Sequence, residues 1–444
     1  MHSADTIVAL ATPPGAGALA VVRLSGPRAA EIAAGCLGPR PLEPRRATLV
    51  RVRDASGRTL DHAVATYFAA PASFTGEHTV EFSCHGGMLV VRRLTERLLE
   101  LGARPAEPGE FSRRAFENGR LDLTQAEAVM DIINAGSDLA LRSAQDQLQG
   151  ALSRRVADAA DALISVAAHN AAYIDFPEED IAPDTRDSLL AQLAAIRGQL
   201  RALLATADTG RYLREGIRTA IVGAPNVGKS SLLNLLLGYE RALVSTTAGT
   251  TRDTIEENIT LRGLSLRLID TAGLHRSSDA LECAGMERSR QAGAAADLIL
   301  EVADISRPRT ALDLPEAGGA KRLLILNKSD LTAHPDWADD HTAVRLCCHS
   351  GEGREQLESA IADCFLHDMG ESDSSVAINT RHRHALQEAH SALERAEQSL
   401  RDGESPEFTD LPLRDALDAL GSITGRIDTE DILDRVFSTF CLGK

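Results

Sequence analysis

The sequence contains almost no lysine. Of its 47 lysines and arginines, only Lys229, Lys321, Lys328 and Lys444 are lysine. Arginine is therefore the ordinary cation of this chain. A compact ammonium and a planar guanidinium are not interchangeable at a binding site, so each lysine marks a position where the ammonium itself needs an explanation.

Long apolar runs and a signal peptide are also missing. The longest runs, such as SLLNLLLG, are far shorter than the ~20 residues of a membrane-spanning helix. The opening MHSADTIVAL has no cationic segment ahead of an apolar one, which a signal peptide would have. A composition of 43% hydrophobic and 25% charged residues is that of a soluble globular protein. We therefore expect a cytoplasmic protein without a membrane segment.

The cysteines show neither a redox-active nor a zinc-binding spacing. The seven cysteines form no CxxC pair and no zinc-like spacing with histidine, so we expect reduced thiols. The net charge of −17 argues against broad, non-specific binding to nucleic acid, because a polyanion would be repelled. Arginines cluster between residues 40 and 58, in a stretch that is either a solvated loop or a local contact for a polyanion.

The hydrophobic pattern divides the 444 residues into three kinds of region. Residues 1–118 mix strand-like runs, Pro/Gly turns and the helix-like MLVVRRLTERLLELG, which predicts an α+β domain. Residues 119–215 and 380–444 are helical in pattern, and Thr124 with Glu127 forms a candidate capping box. Residues 216–379 alternate helices with RTAIVG, SLRLID, DLILEVAD, RLLILN and AVRLCC, which is typical of a doubly wound sheet. The sequence thus predicts a multidomain protein with an α/β domain inserted into an all-α helical domain.

A phosphate-binding loop opens the predicted α/β domain. GAPNVGKS, residues 223–230, follows a strand-like run and precedes a helix-like one, which is the context that such a loop requires. Backbone N–H groups and the helix N-terminus can meet phosphate oxygens there. Lys229 can reach the β and γ phosphates, and Ser230 can offer its hydroxyl to Mg²⁺.

Two further loops follow predicted strands. DTAG, residues 270–273, ends one strand, and NKSD, residues 327–330, ends another. In this order the three loops resemble the G motifs of the GTPase family. The resemblance implies that Asp330 pairs with the N1 and N2 donors of guanine while Asn327 and Lys328 shape the base pocket. It further implies that Asp270 lies near the metal and the Gly273 N–H near the γ-phosphate.

The resemblance extends to a fifth G motif, usually Ser-Ala-Lys, for which this chain has Cys-Cys-His. The base contact there comes mainly from the backbone, so we expect this departure to have a modest effect. The implied GTP contacts are Asn226, Val227, Gly228, Lys229, Ser230, Ser231, Ser245, Thr246, Thr247, Ala248, Gly249, Thr250, Thr251, Asp270, Thr271, Ala272, Gly273, Asn327, Lys328, Asp330, Cys347, Cys348 and His349.

Ras-type enzymes position water with a glutamine after DTAG, but this chain has Leu274 there. Asn226 and the segment STTAGTTRD, residues 245–253, are instead similar to potassium-activated GTPases. That resemblance implies that K⁺ is held by Asn226, Ser245, Thr247 and Thr250, and Mg²⁺ by Ser230 and Thr251. It selects Glu282 as the catalytic residue, acting through a bridging water. The alternative is that Asp279, Glu282 and Glu287 are solvated carboxylates on a switch segment.

The flanks carry a more specific resemblance. ATPPGAGALAVVRLSG, SFTGEHTVEFSCHGG, PGEFSRRAFENGRLDLTQAEAV and the final FCLGK together are similar to the MnmE (TrmE) family of tRNA-modifying GTPases, over nearly the whole chain. This family binds 5-formyltetrahydrofolate at its amino-terminal domain, near a Cys-aliphatic-Gly-Lys tail. The implied folate contacts are Arg23, Glu81, Arg120 and Lys444, although the family usually has lysine at position 120. Cys441 either lies near the one-carbon chemistry or is a buried structural thiol.

The family resemblance also implies partners. These are a second copy of the chain, bound through the amino-terminal domains, and an FAD-dependent MnmG-type protein. Together they would add an aminomethyl or carboxymethylaminomethyl group at C5 of the wobble uridine of tRNA. The MnmG-type partner would make most of the contacts with the tRNA. The alternative is a ribosome-assembly GTPase resembling Era or Der. Those carry an RNA-reading module or a second G domain, and neither is recognisable in this sequence.

Overall fold

The computed structural model describes residues 5–38, 41–175, 186–238, 257–269, 296–310, 319–338, 340–366, 376–426, 430–441 and 443. The chain divides into two compact units. The first comprises Met1–Met130 with Gly421–Lys444, and the second Asp131–Leu420. Within the described ranges, no helix has the length and apolar character needed to cross a membrane.

The strands fall in two groups along the chain, with one run of helices between the groups and another after the second. In chain order the strands are β1 (Ile7–Leu10), β2 (Leu19–Ser25), β3 (Thr48–Arg53), β4 (Thr59–Phe68), β5 (Thr79–His85), β6 (Arg104–Pro105), β7 (Ile217–Val222), β8 (Glu257–Leu261), β9 (Leu264–Leu268), β10 (Leu298–Asp304), β11 (Lys321–Asn327) and β12 (Val344–Leu346). The helices are α1 (Ala29–Leu37), α2 (Met88–Glu100), α3 (Glu110–Glu117), α4 (Leu123–Asn134), α5 (Asp138–Leu148), α6 (Ala151–Asp175), α7 (Arg186–Ala205), α8 (Ala207–Glu215), α9 (Lys229–Leu237), α10 (Arg354–Leu366), α11 (Thr380–Asp402), α12 (Pro406–Thr424) and α13 (Glu430–Ser438).

The first unit is built on a six-stranded sheet of order β3-β4-β5-β2-β1-β6. Its pairs are antiparallel except β1 with β6. Alternate residues of β2 and β5, among them Leu24 and Phe82, are buried against Ile32 of α1 and Leu94 of α2. The residues between them face the other side of the sheet. This alternation places Arg23 directly opposite Glu81 on the neighbouring strand.

A second, aromatic core lies within the same unit. Phe437 and Phe440, from α13 and its end, pack with Phe116 and Leu123. Gly109 precedes α3 with φ +70°, and a side chain there would overlap the backbone of Phe437. Close contact between α3 and α13 therefore requires a residue without a side chain at this position.

The capping box of α4 lies two residues before the predicted one. Asp122 accepts a hydrogen bond from the Gln125 N–H at 2.9 Å, and the Gln125 side chain accepts one from the Asp122 N–H at 3.0 Å. Thr124 lies inside the helix and donates its hydroxyl to Asp122 at 2.7 Å. The prediction of Thr124 with Glu127 was wrong because an aspartate two residues upstream offers an equally good cap in the same sequence pattern.

The helices of the second unit pack along apolar stripes. Leu386, Ala389, Leu393 and Ala396 of α11 recur every three or four residues and are all fully buried. This helix packs on α7, which also packs on α6. Asn379 caps α11 and accepts from the His382 N–H at 2.8 Å. Helical periodicity over these segments is thus confirmed as packed helices.

The rest of the second unit is a six-stranded α/β domain of order β12-β11-β10-β7-β9-β8. All pairs are parallel except β8 with β9. The five strands predicted from the sequence are confirmed as β7, β9, β10, β11 and β12. The parallel strands β7, β10 and β11 end at the same edge of the sheet, which is where such folds bind ligands.

Candidate functional site

The phosphate loop joins β7 to α9 and contains two glycines at which a side chain would overlap neighbouring atoms. Gly223 has φ +156° and Gly228 has φ +102°. A side chain at Gly223 would overlap the backbone of Val302, and one at Gly228 would overlap the side-chain amide of Asn327. Asn226 adopts φ +62°, in the left-handed region. The loop therefore turns tightly against β10 and the start of the NKSD loop.

Lys229 begins α9 directly after this loop. Its Nζ donates to the carbonyl oxygens of Gly223 and Ala224, at 2.8 Å each. Burial lowers the pKa of Lys229, because the charged form loses solvation. Ser230 and Ser231 follow in the first turn and are exposed. An ammonium and two hydroxyls thus stand at a helix N-terminus, where a phosphate is electrostatically favoured.

Asn327 joins the phosphate loop to the fifth motif. Its side chain is buried, donates to the Val227 carbonyl at 2.9 Å and accepts from the Cys348 N–H at 3.2 Å. Three segments far apart in sequence are therefore fixed to one another by a single amide. Among the predicted GTP contacts, Cys348 thus meets Asn327, and the Cys347 thiol donates to Asp330 Oδ1 at 3.2 Å.

Lys328 has an acidic partner that the sequence analysis missed. Its Nζ lies 2.6 Å from Oδ2 of Asp304 and 3.3 Å from the Asn226 carbonyl oxygen. Asp304 is the last residue of β10 and is buried. Burial alone would raise the pKa of Asp304, but hydrogen bonds from Lys328 and Ser306 hold it below its ordinary value. The carboxylate therefore stays ionised and keeps the ammonium at the edge of the pocket.

One signal in the sequence could have found Asp304. It ends the strand-like run DLILEVAD, and a charged residue at the carboxyl end of a central parallel strand lies at the ligand-binding edge of the sheet. The register then places it directly opposite Asn327 on β11. That register is what brings Asp304 next to Lys328.

The first unit holds a second group of predicted site residues. Arg23 Nε donates to Glu81 Oε1 at 2.8 Å, and its Nη1 donates to the Gly443 carbonyl at 3.3 Å. The guanidinium also lies 5.6 Å from the ring centre of Phe74. Arg120 is exposed and borders Gly76, two residues after Phe74. The chain's last residues thus reach the Arg23–Glu81 pair, and Lys444 lies outside the described residues.

Gly443 makes this approach possible. It has φ +92°, and a side chain there would overlap the backbone of Leu10 and Ala11. Cys441 is exposed, so the alternative that it is a buried structural thiol was wrong.

Comparison with known proteins gives matches along nearly the whole chain. A family model of the TrmE N-terminus, a GTP-binding protein, matches residues 6–120, and one of the MnmE helical domain matches residues 123–441. A tRNA modification GTPase MnmE from Akkermansia muciniphila is 58% identical over 445 residues, covering 99% of each chain. The MnmE of Opitutus terrae is 48% identical over 453 residues, again covering 99% of each chain. The chain belongs to the MnmE family.

As a member of the MnmE family the chain is a GTPase, and the meeting of the phosphate and NKSD loops at one sheet edge agrees with that activity. The solved G domain of the T. maritima FeoB iron transporter is 30% identical. It is matched over 33% of this chain and 96% of its own length, with a TM-score of 0.23.

Several MnmE-type positions predicted above cannot be placed. The following lie outside the described residues: Ser245, Thr246, Thr247, Ala248, Gly249, Thr250, Thr251, Asp270, Thr271, Ala272, Gly273 and Glu282. The strand that leads to DTAG is β9, which pairs with β7 so that the Ile269 N–H donates to the Thr219 carbonyl at 3.0 Å.

The MnmE-like motif PGEFSRRAFENG has a structural role that its sequence did not reveal. Arg114 within it is buried and forms ion pairs with Asp5, Glu77 and Glu110 at 2.8 to 3.2 Å. Burial would raise the pKa of Glu110, but Arg104 and Arg114 lower it below its ordinary value. Removing the Arg114 guanidinium would leave Asp5 and Glu110 paired with Arg104 and would take from Glu77 its ion pair with Arg114.

Proposed function

We propose that this GTPase uses GTP hydrolysis to drive modification of the wobble uridine of tRNA. The product would carry an aminomethyl or carboxymethylaminomethyl group at C5, made together with an FAD-dependent MnmG-type partner. The observation that carries this proposal is similarity over the whole chain to proteins named tRNA modification GTPase. A G domain alone would not identify the process that it serves.

GTP would lie across the loops at the carboxyl edge of the second sheet. Lys229 and the amides of residues 226–231 would hold the β and γ phosphates, and Asp330 the guanine edge. Ser230 and Thr251 would supply hydroxyl ligands to Mg²⁺, an ion that prefers oxygen ligands and neutralises phosphate charge. The position of Lys229 at the N-terminus of α9 supports this arrangement.

K⁺ would supply the charge that an arginine finger supplies elsewhere. Its ligands would be side-chain and backbone oxygens of Asn226, Ser245, Thr247 and Thr250. Asn226 fits this role because it is exposed at the turn of the phosphate loop, with its backbone carbonyl held by Lys328. Glu282 would orient the attacking water through a second water.

Hydrolysis should therefore depend on both K⁺ and Glu282. Replacing K⁺ by Na⁺, or Glu282 by alanine, should slow single-turnover hydrolysis on the order of 10²-fold, because each removes transition-state stabilisation. GDP affinity should change little in the Glu282→Ala variant. Glu287→Ala is the matched control on the same segment. Equal hydrolysis rates in Na⁺ and K⁺ would refute the potassium assignment. Equal hydrolysis rates for Glu282→Ala and the parent would refute the assignment of Glu282.

A one-carbon folate, 5-formyltetrahydrofolate, would bind in the first unit. Glu81 can accept hydrogen bonds from pterin N–H groups, and the cationic groups of Arg23, Arg120 and Lys444 suit its glutamate carboxylates. Contact of the tail carbonyl of Gly443 with Arg23 supports a site beside the chain's last residues. Cys441 lies in the same tail and is exposed, and it would face the one-carbon group.

The protein would work in the cytoplasm as a homodimer through its amino-terminal units. Its MnmG-type partner would provide FAD and most of the tRNA contact. The net charge of −17 supports that division of labour, because an acidic protein binds a polyanion poorly by itself.

Mass spectrometry of wobble nucleosides tests this function. Cells that lack the gene should lose the C5 substituent and regain it with the parent gene or with Lys321→Met, a charge removal away from the phosphate loop. The Lys229→Met gene should not restore it. Unchanged nucleosides in the deletion would favour the ribosome-assembly alternative.

A further inference from the structure

The hairpin formed by β8 and β9 packs against the start of α5 and the residues before it. Thr260 of β8 donates its hydroxyl to the Gly136 carbonyl at 3.2 Å. The turn of the hairpin contains Gly263 at φ +81°, and the Leu139 side chain of α5 lies against it. One hydrogen bond and one apolar contact therefore join the hairpin of the α/β domain to the helices of the same unit.

This hairpin lies between two of the predicted nucleotide motifs. β8 follows the segment STTAGTTRD, and DTAG begins two residues after the end of β9. Within the sheet, β8 is at the edge and pairs with β9. The backbone thus connects the hairpin directly to both motifs that are expected to contact Mg²⁺ and the γ-phosphate. In GTPases such motifs are the ones that respond to loss of the γ-phosphate.

A buried carboxylate fixes α8 to the opposite edge of the sheet. Asp297 directly precedes β10, accepts from Arg218 Nε and Nη2 at 3.0 Å each, and forms an ion pair with Arg211 of α8 at 2.9 Å. Burial would raise the pKa of Asp297, but the two guanidinium groups hold it below its ordinary value. Because α8 is attached in this way, a shift of the hairpin relative to the sheet is also a shift relative to α8.

Leu139 lies where the hairpin, α5 and α8 meet. It is half-buried and packs both against the core of the α/β domain and against a small apolar cluster that contains Leu213 of α8 and Ala377. Packed side chains have few alternative positions, so a displaced hairpin cannot leave Leu139 where it is. This leucine therefore carries a displacement of the hairpin into α5.

An unformed ion pair lies beside Leu139. Arg214 Nη1 is buried, has no hydrogen-bond acceptor among the described residues, and lies 3.8 Å from Oδ2 of Asp131. Its Nη2 is fixed, since it donates to the Ile378 carbonyl at 2.6 Å. A buried donor without an acceptor is uncommon, and a shift of about 1 Å between α4 and α8 would bring this pair to hydrogen-bond distance. The structure thus contains a contact that a second arrangement of the helices would complete.

We propose that the β8–β9 hairpin relays the state of the bound nucleotide to the helices through Leu139 and the Gly136 carbonyl. The proposal rests on the nucleotide site proposed above and does not depend on the tRNA reaction. In one state the helices are arranged as described here. In the other, the displaced hairpin moves the residues between α4 and α5, and the ion pair of Arg214 with Asp131 forms. By linkage, the helices then influence nucleotide affinity as strongly as the nucleotide influences the helices.

Hydrogen exchange of the full-length protein tests this relay, with GDP or a non-hydrolysable GTP analogue bound. In the parent, amides of residues 138–148 should exchange at rates that differ about fivefold between the two states. Leu139→Ala and Thr260→Val should each remove most of that difference, because one deletes the apolar contact and the other the hydrogen bond. Leu148→Ala is the matched control, a half-buried leucine at the far end of α5, and should keep the parent difference.

Nucleotide titrations give a second readout. In Leu139→Ala the ratio of the affinities for the GTP analogue and GDP should change about fivefold, as reciprocity requires. A merely structural role of Leu139 would lower the unfolding temperature but leave this ratio and the exchange difference as in the parent. Should Leu139→Ala fail to fold, Thr260→Val decides the question, since valine keeps the shape of threonine without the donor.

The relay and the nucleotide site can fail separately. If the parent binds both nucleotides but its residues 138–148 exchange equally in the two states, the relay is refuted and the nucleotide site stands. If the parent binds neither nucleotide, the proposed nucleotide site falls and the relay falls with it.

Discussion

Replacing Lys229 by methionine should lower the rate of GTP hydrolysis by about 10³-fold, because the ammonium is the fixed charge beside the β and γ phosphates. Methionine keeps the length and the apolar stem of lysine, so packing of the first turn of α9 is retained. Single-turnover hydrolysis under saturating GTP measures the chemical step, and titration with fluorescent GDP measures affinity separately.

The pH dependence of hydrolysis provides an internal check. Burial lowers the pKa of Lys229, so its ammonium loses the proton at a lower pH than a solvated lysine would. The value of kcat/KM, which reports ionisations of the free protein, should therefore be full below that pKa and fall as the pH rises through it. In the methionine variant this alkaline fall should be absent, since no proton is lost at position 229.

Lys321→Met is the control for loss of one positive charge in the same domain. Lys321 begins β11 and Asn327 ends it, so the two residues lie at opposite ends of this strand. The Nζ of Lys321 donates to the Cys364 carbonyl and lies 5.0 Å from the ring centre of Phe365. Its replacement should leave hydrolysis unchanged. Lys229→Arg should lose hydrolysis as Lys229→Met does, because a planar guanidinium cannot occupy the space of a compact ammonium. A methionine variant as fast as the parent would exclude this loop as the phosphate site.

The phosphate and NKSD loops could be predicted because their chemistry is local. Glycines at fixed spacing allow the backbone turn, and the lysine follows at the start of the helix. The shape of the loop can therefore be predicted from GAPNVGKS alone. The role of Asp304 and the contact of Cys347 with Asp330 could not be predicted in this way. Their contacts with Lys328 and Asp330 depend on the register of β10, β11 and β12, which no single stretch of sequence encodes.

The ion pair of Arg23 and Glu81 in the first unit also could not be predicted from a single stretch of sequence. Sequence resemblance named Arg23 and Glu81 as separate contacts of one ligand. The structure pairs them with each other across β2 and β5, with Gly443 from the far end of the chain beside them. Each side chain is predictable as polar on an alternating strand, but their pairing follows only from the antiparallel register.

Gly228→Ala should abolish measurable nucleotide binding, with a loss of more than about 10²-fold, since the loop cannot keep its shape. Gly228 has φ +102°, which strains any residue with a side chain. The added methyl group would also overlap the side-chain amide of Asn327. That amide binds the Val227 carbonyl and the Cys348 N–H, so moving it disturbs the phosphate loop and the base pocket together.

Gly198→Ala is the matched control, because Gly198 lies within α7 and an added methyl group there meets no atom within 4 Å. It should raise the free energy of unfolding by about 1 kcal/mol and leave GDP binding unchanged. Titration with fluorescent GDP and circular dichroism of both variants distinguish lost binding from lost folding. Parent-like GDP affinity in Gly228→Ala would mean that the loop can reshape around a methyl group. The contact between the phosphate loop and Asn327 would then not be what couples phosphate binding to base recognition.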